Sequence, residues 1–177
     1  AALGDGGICV TRNDTLAETL RELRQYGFRD DRTAHREGIC SRLDELQSAV
    51  LSVRLAHLEA NQRRRDQIAD HYFSGLSGSE VQLPSRRPGI RHAWHQFVVR
   101  TVDRPALIER LQAAKIGFGI HYPQPIHLMP AYQFLGYKKG DLLETERAAD
   151  EILSLPMFPG LRDDEVERVI TAVRGTR

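Results

Sequence analysis

Polar aromatic side chains are concentrated in residues 117–132, which contain two histidines, two tyrosines and three prolines. Proline fixes φ and removes a backbone donor, so most of this segment cannot form regular helix or sheet. We expect a stiff loop that holds imidazole and phenol groups in set directions, and such loops commonly carry binding chemistry. The alternative is a proline-rich connection that is packed only for its shape.

Other kinds of reactive site find little support in the sequence. It contains no Gly-x-Gly-x-x-Gly, phosphate-binding loop or His-Glu-x-x-His motif. His121 and His127 could converge on a metal, but no third ligand is evident. Cys9 and Cys40 have neither metal-ligand spacing nor a disulfide framework, so we expect reduced thiols in a cytoplasmic protein and no metal site.

Composition and charge are ordinary for a soluble globular protein. The chain has 177 residues, of which 41% are hydrophobic, and a formal net charge of +1. Such a balance gives no field that would attract nucleic acid or a membrane surface. The basic run at residues 63–65 is predicted to be a solvated helix face, and no window approaches the ~18 apolar residues of a membrane span.

The first half of the chain is predicted to be mainly helical. Residues 8–11 resemble a short buried strand, and Asn13 or Asp14 can cap a helix with an apolar stripe. After a polar loop, a long helical stretch without proline begins near Ser41 and is apolar on two faces. A helix of that kind joins domains, lies in a subunit interface or crosses a core, and periodicity does not separate these roles.

The second half alternates strand and helix patterns. Strands are predicted at residues 95–100 and 116–121, with a helix opened by Asp103 and Pro105 between them. Two more helices are predicted at about 142–153 and 163–174. Strands separated by helices indicate an α/β or α+β layered fold.

Six motifs in a particular order carry a resemblance to a known family. They are Gly-Asp-Gly-Gly at 4–7, Ser-Arg-Leu-Asp-Glu-Leu-Gln at 41–47, Trp-His-Gln-Phe-Val at 94–98, Gly-Ile-His-Tyr-Pro at 119–123, His-Leu-Met-Pro-Ala-Tyr at 127–132 and Leu-Ser-Leu-Pro-Met-Phe-Pro at 153–159. Over essentially its whole length, the chain resembles the C-terminal half of the DegT/DnrJ/StrS sugar aminotransferases, enzymes that use pyridoxal 5′-phosphate (PLP).

The resemblance implies a fold and a domain organisation. The fold would be the C-terminal part of the α/β aspartate-aminotransferase fold (PLP fold type I), with a small α+β domain and a long interdomain helix. Residues 1–40 would be the tail of the large PLP-binding domain. Residues 41–78 would form the connecting helix region, and residues 79–177 the small domain.

The family also implies an activity. Its members are homodimers with shared active sites, and they move an amino group from glutamate to a keto sugar linked to a nucleotide. The lysine that carries PLP is expected just upstream of Ala1, so we expect no catalytic residue here and no activity from this polypeptide alone. Two alternatives remain: a sugar dehydratase on the same scaffold, with histidine at the lysine position, and a non-catalytic paralogue acting in regulation or dimerisation.

Five residues of this chain match site positions of the family. Cys40 stands where the family usually has an asparagine that touches the cofactor phosphate, and a thiol is a weaker donor than an amide. Arg42 matches an arginine near the nucleotide diphosphate, although it could instead pair with acidic residues of the same helix. The resemblance assigns three residues of the proline-rich loop to the sugar pocket: His121, Tyr122 and His127.

Overall fold

The computed structural model describes residues 4–175, and the chain divides into two compact units, residues 1–58 and 59–177. The first unit contains helices α1 (Asp14–Leu23) and α2 (Glu45–Leu55). The side chain of Asn13 accepts a hydrogen bond from the Leu16 amide, so the predicted cap of α1 is confirmed. The loop that follows α1 is closed by a bridge between Gln25 and Cys40.

The strand predicted at residues 8–11 is wrong. Ile8 and Val10 are 88% and 86% exposed, and neither belongs to a strand. An extended segment becomes a strand only when a neighbouring strand satisfies its backbone groups. Among residues 4–175, none pairs with this segment.

The long helical stretch is divided in the structure. Helix α2 ends at Leu55, a turn occupies residues 56 and 57, and helix α3 (Leu58–Gly75) follows. The amide of His57 donates to the carbonyl of Arg54 at 3.0 Å, which is the tighter spacing of a 3₁₀ turn. No proline or glycine marks this break, so the sequence pattern runs through it.

A two-stranded antiparallel sheet organises the second unit. Strand β1 (Phe97–Arg100) pairs with β2 (Ile152–Leu155), with Phe97 opposite Leu155. Single bridges extend the sheet on both sides, from Gln82 to Arg100 and from Gly119 to Ser154. The strand predicted at 116–121 is therefore wrong in extent, because only Gly119 pairs with a neighbour.

Three helices pack with this sheet into one core: α3, α4 (Arg104–Ala113) and α6 (Asp163–Arg174). The side chain of Asp103 accepts from the Ala106 amide and caps α4 as predicted. The apolar stripe of α6 is also confirmed. Buried side chains of these helices include Ile68, Tyr72, Leu107, Leu111, Val166, Val169, Ile170 and Val173.

The basic run at 63–65 is only partly the solvated face that was predicted. Arg65 donates 2.8 Å hydrogen bonds to the carbonyls of Trp94 and Met157, and Arg64 binds the carbonyl of Leu161. Burial lowers the pKa of Arg65. These two guanidinium groups therefore satisfy loop carbonyls at the edge of the core, a role that charge patterning cannot reveal.

The proline-rich loop contains no long regular element, as predicted. It includes two 3₁₀ helices, Ile126–Leu128 and Pro130–Leu135, and it leads into α5 (Leu143–Glu151). Within residues 4–175, no helix has the length and apolar character needed to cross a bilayer.

Candidate functional site

A cleft of about 730 Å³ lies in the second unit, along the segment that bridges to β2. Its lining combines apolar side chains with histidines and charged side chains. The lining residues used below are Lys115, Phe118, Gly119, His121, Ser154, Phe158, Glu165 and Arg168. In the described part of the chain, no group of three or more metal-binding side chains could hold a metal ion.

The charged groups of the cleft favour an anion. Lys115 and Arg168 contribute two cations, and Glu165 contributes a carboxylate. Glu165 is already engaged at the start of α6, where it accepts the Arg162 amide at 2.9 Å and pairs with the Arg162 guanidinium. Within the described residues, Arg168 donates one hydrogen bond to the carbonyl of Ala114, at 3.2 Å, and its other N–H groups could bind a ligand. The cleft therefore combines a net positive charge with apolar side chains in its lining.

His121 is fixed within this cleft by two neighbours. Its Nδ1 lies 2.9 Å from the hydroxyl of Ser154, a buried residue of β2. Its ring lies against Gly119, where a Cβ atom would stand 2.3 Å from Cε1 of the imidazole. Backbone bonds between Gly119 and Ser154 tie both neighbours together, at 2.7 and 3.1 Å. The ring is thus positioned by a sheet contact rather than by the loop alone.

Tyr122 points to a different cavity. Its side chain is 70% exposed, and it lines a neighbouring pocket of about 430 Å³ together with Gln124 and Met129. The rings of His121 and Tyr122 meet edge to face, with centroids 5.7 Å apart. These two side chains are therefore adjacent but line different pockets.

His127 is buried. Its Nε2 lies 3.1 Å from Oε1 of Glu146, and its ring lies edge-on to Tyr137. Glu146 also accepts the amides of Gly140 and Leu142. Burial alone raises the pKa of Glu146, but these amide and imidazole hydrogen bonds outweigh it and leave the pKa below its usual value. The second imidazole nitrogen, Nδ1, is buried and has no hydrogen-bond partner within the described residues.

In the first unit, Cys40 and Arg42 form a small polar cluster with Tyr26. Hydrogen bonds from the Tyr26 hydroxyl, and then from Arg42, lower the pKa of the exposed Cys40 thiol, while the same sulfur raises the pKa of Tyr26. The charge of Arg42 acts in the same direction on Cys40. The cluster offers a guanidinium and a phenol beside a thiol whose pKa is lowered.

This cluster fits the phosphate of PLP in part. The guanidinium of Arg42 is a suitable donor to anionic oxygens, whereas the single O–H of Tyr26 is already donated to Cys40. Cys40 could donate only as the neutral thiol, and its lowered pKa works against that form. Within the cluster, Arg42 is therefore the best ligand for a phosphate group.

The five predicted site residues thus occupy several settings. Cys40 and Arg42 are brought together in the first unit, His121 and Tyr122 are neighbours in the second, and His127 is buried against Glu146. Their roles in binding remain predictions.

Sequence reasoning missed Ser154, Glu146 and Tyr26, which hold three of these side chains. No motif marks them as site residues, because each acts only through a contact made by folding. Ser154 does lie in the matching motif at 153–159, which was the one available signal.

Comparisons with known proteins agree with this fold. The model of the DegT/DnrJ/EryC1/StrS aminotransferase family matches residues 1–174. The dTDP-3-amino-3,4,6-trideoxy-alpha-D-glucose transaminase of Streptomyces venezuelae is 45% identical over 172 residues, covering 97% of this chain and 45% of that protein. The erythromycin biosynthesis sensory transduction protein EryC1 of Saccharopolyspora erythraea is 42% identical over 174 residues, covering 98% of this chain and 48% of that protein.

A solved structure gives the same result. The crystal structure of S. venezuelae DesV in complex with a ketimine intermediate matches with a TM-score of 0.90 and 44% identity, covering 93% of this chain and 45% of that one. The predicted fold, the C-terminal part of an α/β sugar aminotransferase, is confirmed. The chain spans about half the length of the curated relatives it matches.

Proposed function

Because this chain belongs to the DegT/DnrJ/EryC1/StrS aminotransferase family, we propose that it is the C-terminal portion of a PLP-dependent enzyme that moves an amino group from glutamate to a keto sugar linked to a nucleotide. The observation that carries the proposal is the 45% identity with a dTDP-amino-sugar transaminase across 97% of this chain. The positively lined cleft beside His121 agrees with an anionic substrate.

The residues of this chain would bind and orient. Arg42 would donate to diphosphate oxygens, because its planar fork matches their geometry. His121 and Tyr122 would hydrogen-bond the sugar, and Cys40, beside Tyr26, would face the cofactor phosphate. His127 could reach a ligand only through Nδ1, since Nε2 is engaged with Glu146. PLP, when bound, supplies the electron sink for amino transfer.

The remaining parts of the proposal concern the longer protein. The lysine that carries PLP would lie upstream of Ala1, so residues 1–177 alone would not transfer nitrogen. The working form would be a cytoplasmic homodimer whose subunits share active sites. Residues 1–40 would complete the large domain, residues 41–78 would connect the two domains, and residues 79–177 would form the small domain.

The test is amino transfer by a longer protein that joins this chain to its native upstream half. That protein should convert a dTDP-linked keto sugar to the amino sugar in the presence of PLP and glutamate, while residues 1–177 alone should not. Binding of PLP without any nitrogen transfer would contradict the proposal. Elimination of water from the sugar would instead identify the dehydratase alternative.

Substitutions of Arg42 in the same longer protein test the proposed role of this residue in binding the nucleotide sugar. Arg42→Ala in the longer protein should weaken nucleotide-sugar binding by about 1.5–3 kcal/mol, because a charge-assisted bond to phosphate is lost. Arg42→Lys should recover only part of this loss, since the ammonium lacks the bidentate fork. Arg12→Ala removes a charge from the same unit and serves as the control. Unchanged affinity in Arg42→Ala would reject the phosphate role.

A regulatory function is the second candidate. The S. erythraea relative carries the name of a sensory transduction protein, and Cys40 replaces the asparagine that the family usually has. A regulatory paralogue would bind the nucleotide sugar without turning it over. Calorimetric binding measured beside the transfer assay therefore separates the two functions.

A further inference from the structure

We infer that Ser154 is a positioning residue for His121: its hydroxyl donates to Nδ1 of the imidazole, which fixes the proton on Nε2 and presents that nitrogen as a hydrogen-bond donor to a ligand of the cleft. The inference rests on the 2.9 Å contact between Ser154 Oγ and His121 Nδ1. The binding of a ligand by Nε2–H, which is the functional half of the inference, rests on the proposed function. The effect of Ser154 on the His121 tautomer, which is the structural half, does not.

The direction of the hydrogen bond follows from burial. Ser154 is 5% exposed, and within the described residues His121 Nδ1 is the hydrogen-bond partner of its hydroxyl. A serine hydroxyl has one proton to donate. If Nδ1 carried a proton and donated to Oγ, the hydroxyl proton would have no acceptor among the described residues and would depend on water in the cleft that Ser154 lines. Nδ1 therefore accepts, and the neutral ring carries its proton on Nε2.

The position of the ring is set by Gly119 in the same bridge. Ser154 and Gly119 exchange both backbone hydrogen bonds, at 2.7 and 3.1 Å. A Cβ atom at residue 119 would meet Cε1 at 2.3 Å and Nε2 at 3.0 Å, so only glycine leaves room for the imidazole. One residue of the bridge supplies the hydroxyl, and the other supplies the space.

The consequence for the site is a donor of defined direction. With Nδ1 engaged, Nε2–H is the imidazole group left for a bound molecule. His121 shares the cleft with Lys115 and Arg168, so this donor adds to a lining that already favours anionic oxygen. For the proposed substrate, the acceptor would be a sugar hydroxyl or a phosphate oxygen.

The tautomer can be measured directly on the 177-residue chain. Long-range ¹H–¹⁵N correlation spectra, assigned with His121→Gln, should show an unprotonated Nδ1 and a protonated Nε2 at a pH where the ring is neutral. Ser154→Ala should replace this with the averaged signals of two tautomers, and Ser154→Thr, which keeps a hydroxyl, should retain the wild-type pattern. A protonated Nδ1 in the wild type, or an unchanged spectrum in Ser154→Ala, would overturn the inference.

Glycine substitutions give a second and independent test. Gly119→Ala should displace the ring and change the His121 signals, whereas Gly117→Ala has nothing within 4 Å of the new Cβ and should leave them unchanged. Equal changes of the His121 signals in the two variants would contradict the proposed position of the ring against Gly119. This comparison holds even if Ser154→Ala does not fold.

The functional half is tested in the longer protein that carries the upstream half. Ser154→Ala should raise KM for the nucleotide sugar roughly 2- to 12-fold, the range of one neutral hydrogen bond, and Ser154→Thr should restore it. A changed tautomer with an unchanged KM would overturn the ligand role while leaving the structural role. An absence of amino transfer in the wild type would instead reject the proposed function and leave the spectra to decide on Ser154.

Discussion

At the scale of single residues, the three site candidates of the loop differ in environment although all are polar aromatic residues within one short segment. His121 is held at the cleft by Ser154, Tyr122 is largely exposed, and His127 is buried against Glu146. The imidazole of His127 joins the loop to the turn before α5, because Glu146 also accepts two amides of that turn. The pair thus holds in place the loop that carries His121.

We expect this pair to make stability depend on pH in the acid range. The hydrogen bonds to Glu146 hold its pKa below the usual value in the folded chain, whereas an unfolded glutamate titrates near about 4.3. A lowered folded pKa contributes stability that is present above the unfolded pKa and is lost as pH falls through the folded one. Glu146→Gln should therefore be less stable than the wild type at pH 7, and the gap should narrow below about pH 4.

Urea unfolding at pH 7, 5, 4 and 3.5 measures this gap. Glu144→Gln makes the same chemical change at an exposed carboxylate of α5 and serves as the control. A gap between wild type and Glu146→Gln that stays constant, or widens toward acid, would show that the carboxylate does not act in this way.

The sequence indicates the candidate site residues, but not how each side chain is used. Histidine in a proline-rich loop predicts a hydrogen-bonding group, and Arg42 in its motif predicts a phosphate ligand. Whether a given imidazole faces a cleft or a buried carboxylate is decided by Ser154 and Glu146, which lie 33 and 19 residues further along the chain. Such contacts carry no local pattern.

At the scale of elements, predictions succeeded where a local interaction sets the boundary. Asn13 and Asp103 each cap a helix through their own side chain, and the stripe of α6 follows the helical period. The predictions failed where a boundary depends on a partner strand or has no local sequence signal. The segment 8–11 lacks a neighbouring strand, and residues 116–121 pair only at Gly119. No proline or glycine marks the turn at 56–57.

The contact of α3 with α6 gives a prediction for an element boundary. Gly75 is the last residue of α3, and a Cβ there would lie 2.5 Å from Cδ1 and 3.0 Å from Cγ2 of the buried Ile170. Gly75→Ala should therefore destabilise the chain by about 1–3 kcal/mol, although alanine is the better helix former.

Chemical denaturation measures this loss, and Gly117→Ala provides the control because its Cβ would enter open space. In the double variant Gly75→Ala/Ile170→Val, the closest atom is removed and part of the loss should return. A Gly75→Ala chain as stable as the control would mean that α6 shifts at no cost.

At the scale of the whole molecule, the two units differ in how they are stabilised. Every buried hydrophobic side chain among residues 4–175 lies between Ile68 and Val173, in the second unit. In the first unit Gly27 is buried, whereas Leu46, Val53 and Leu55 are 75%, 67% and 68% exposed. Burial of apolar surface is the main favourable term in folding. Among residues 4–58, the first unit therefore has no buried hydrophobic core that would stabilise it.

The segment of residues 59–177 should accordingly fold without the first unit, whereas residues 1–58 alone should not. We expect the longer segment to unfold in one cooperative urea transition, with an m value within the ~1–3 kcal/mol/M of small proteins. Residues 1–58 should lose helical circular dichroism gradually, because isolated helices of about ten residues are marginal in water.

A variant of the longer segment checks that its transition reports the unfolding of the observed core. Phe97→Ala removes a fully buried ring and should lower the free energy of unfolding by about 3–5 kcal/mol. A cooperative transition in residues 1–58, or none in residues 59–177, would mean that stability is not distributed as burial indicates.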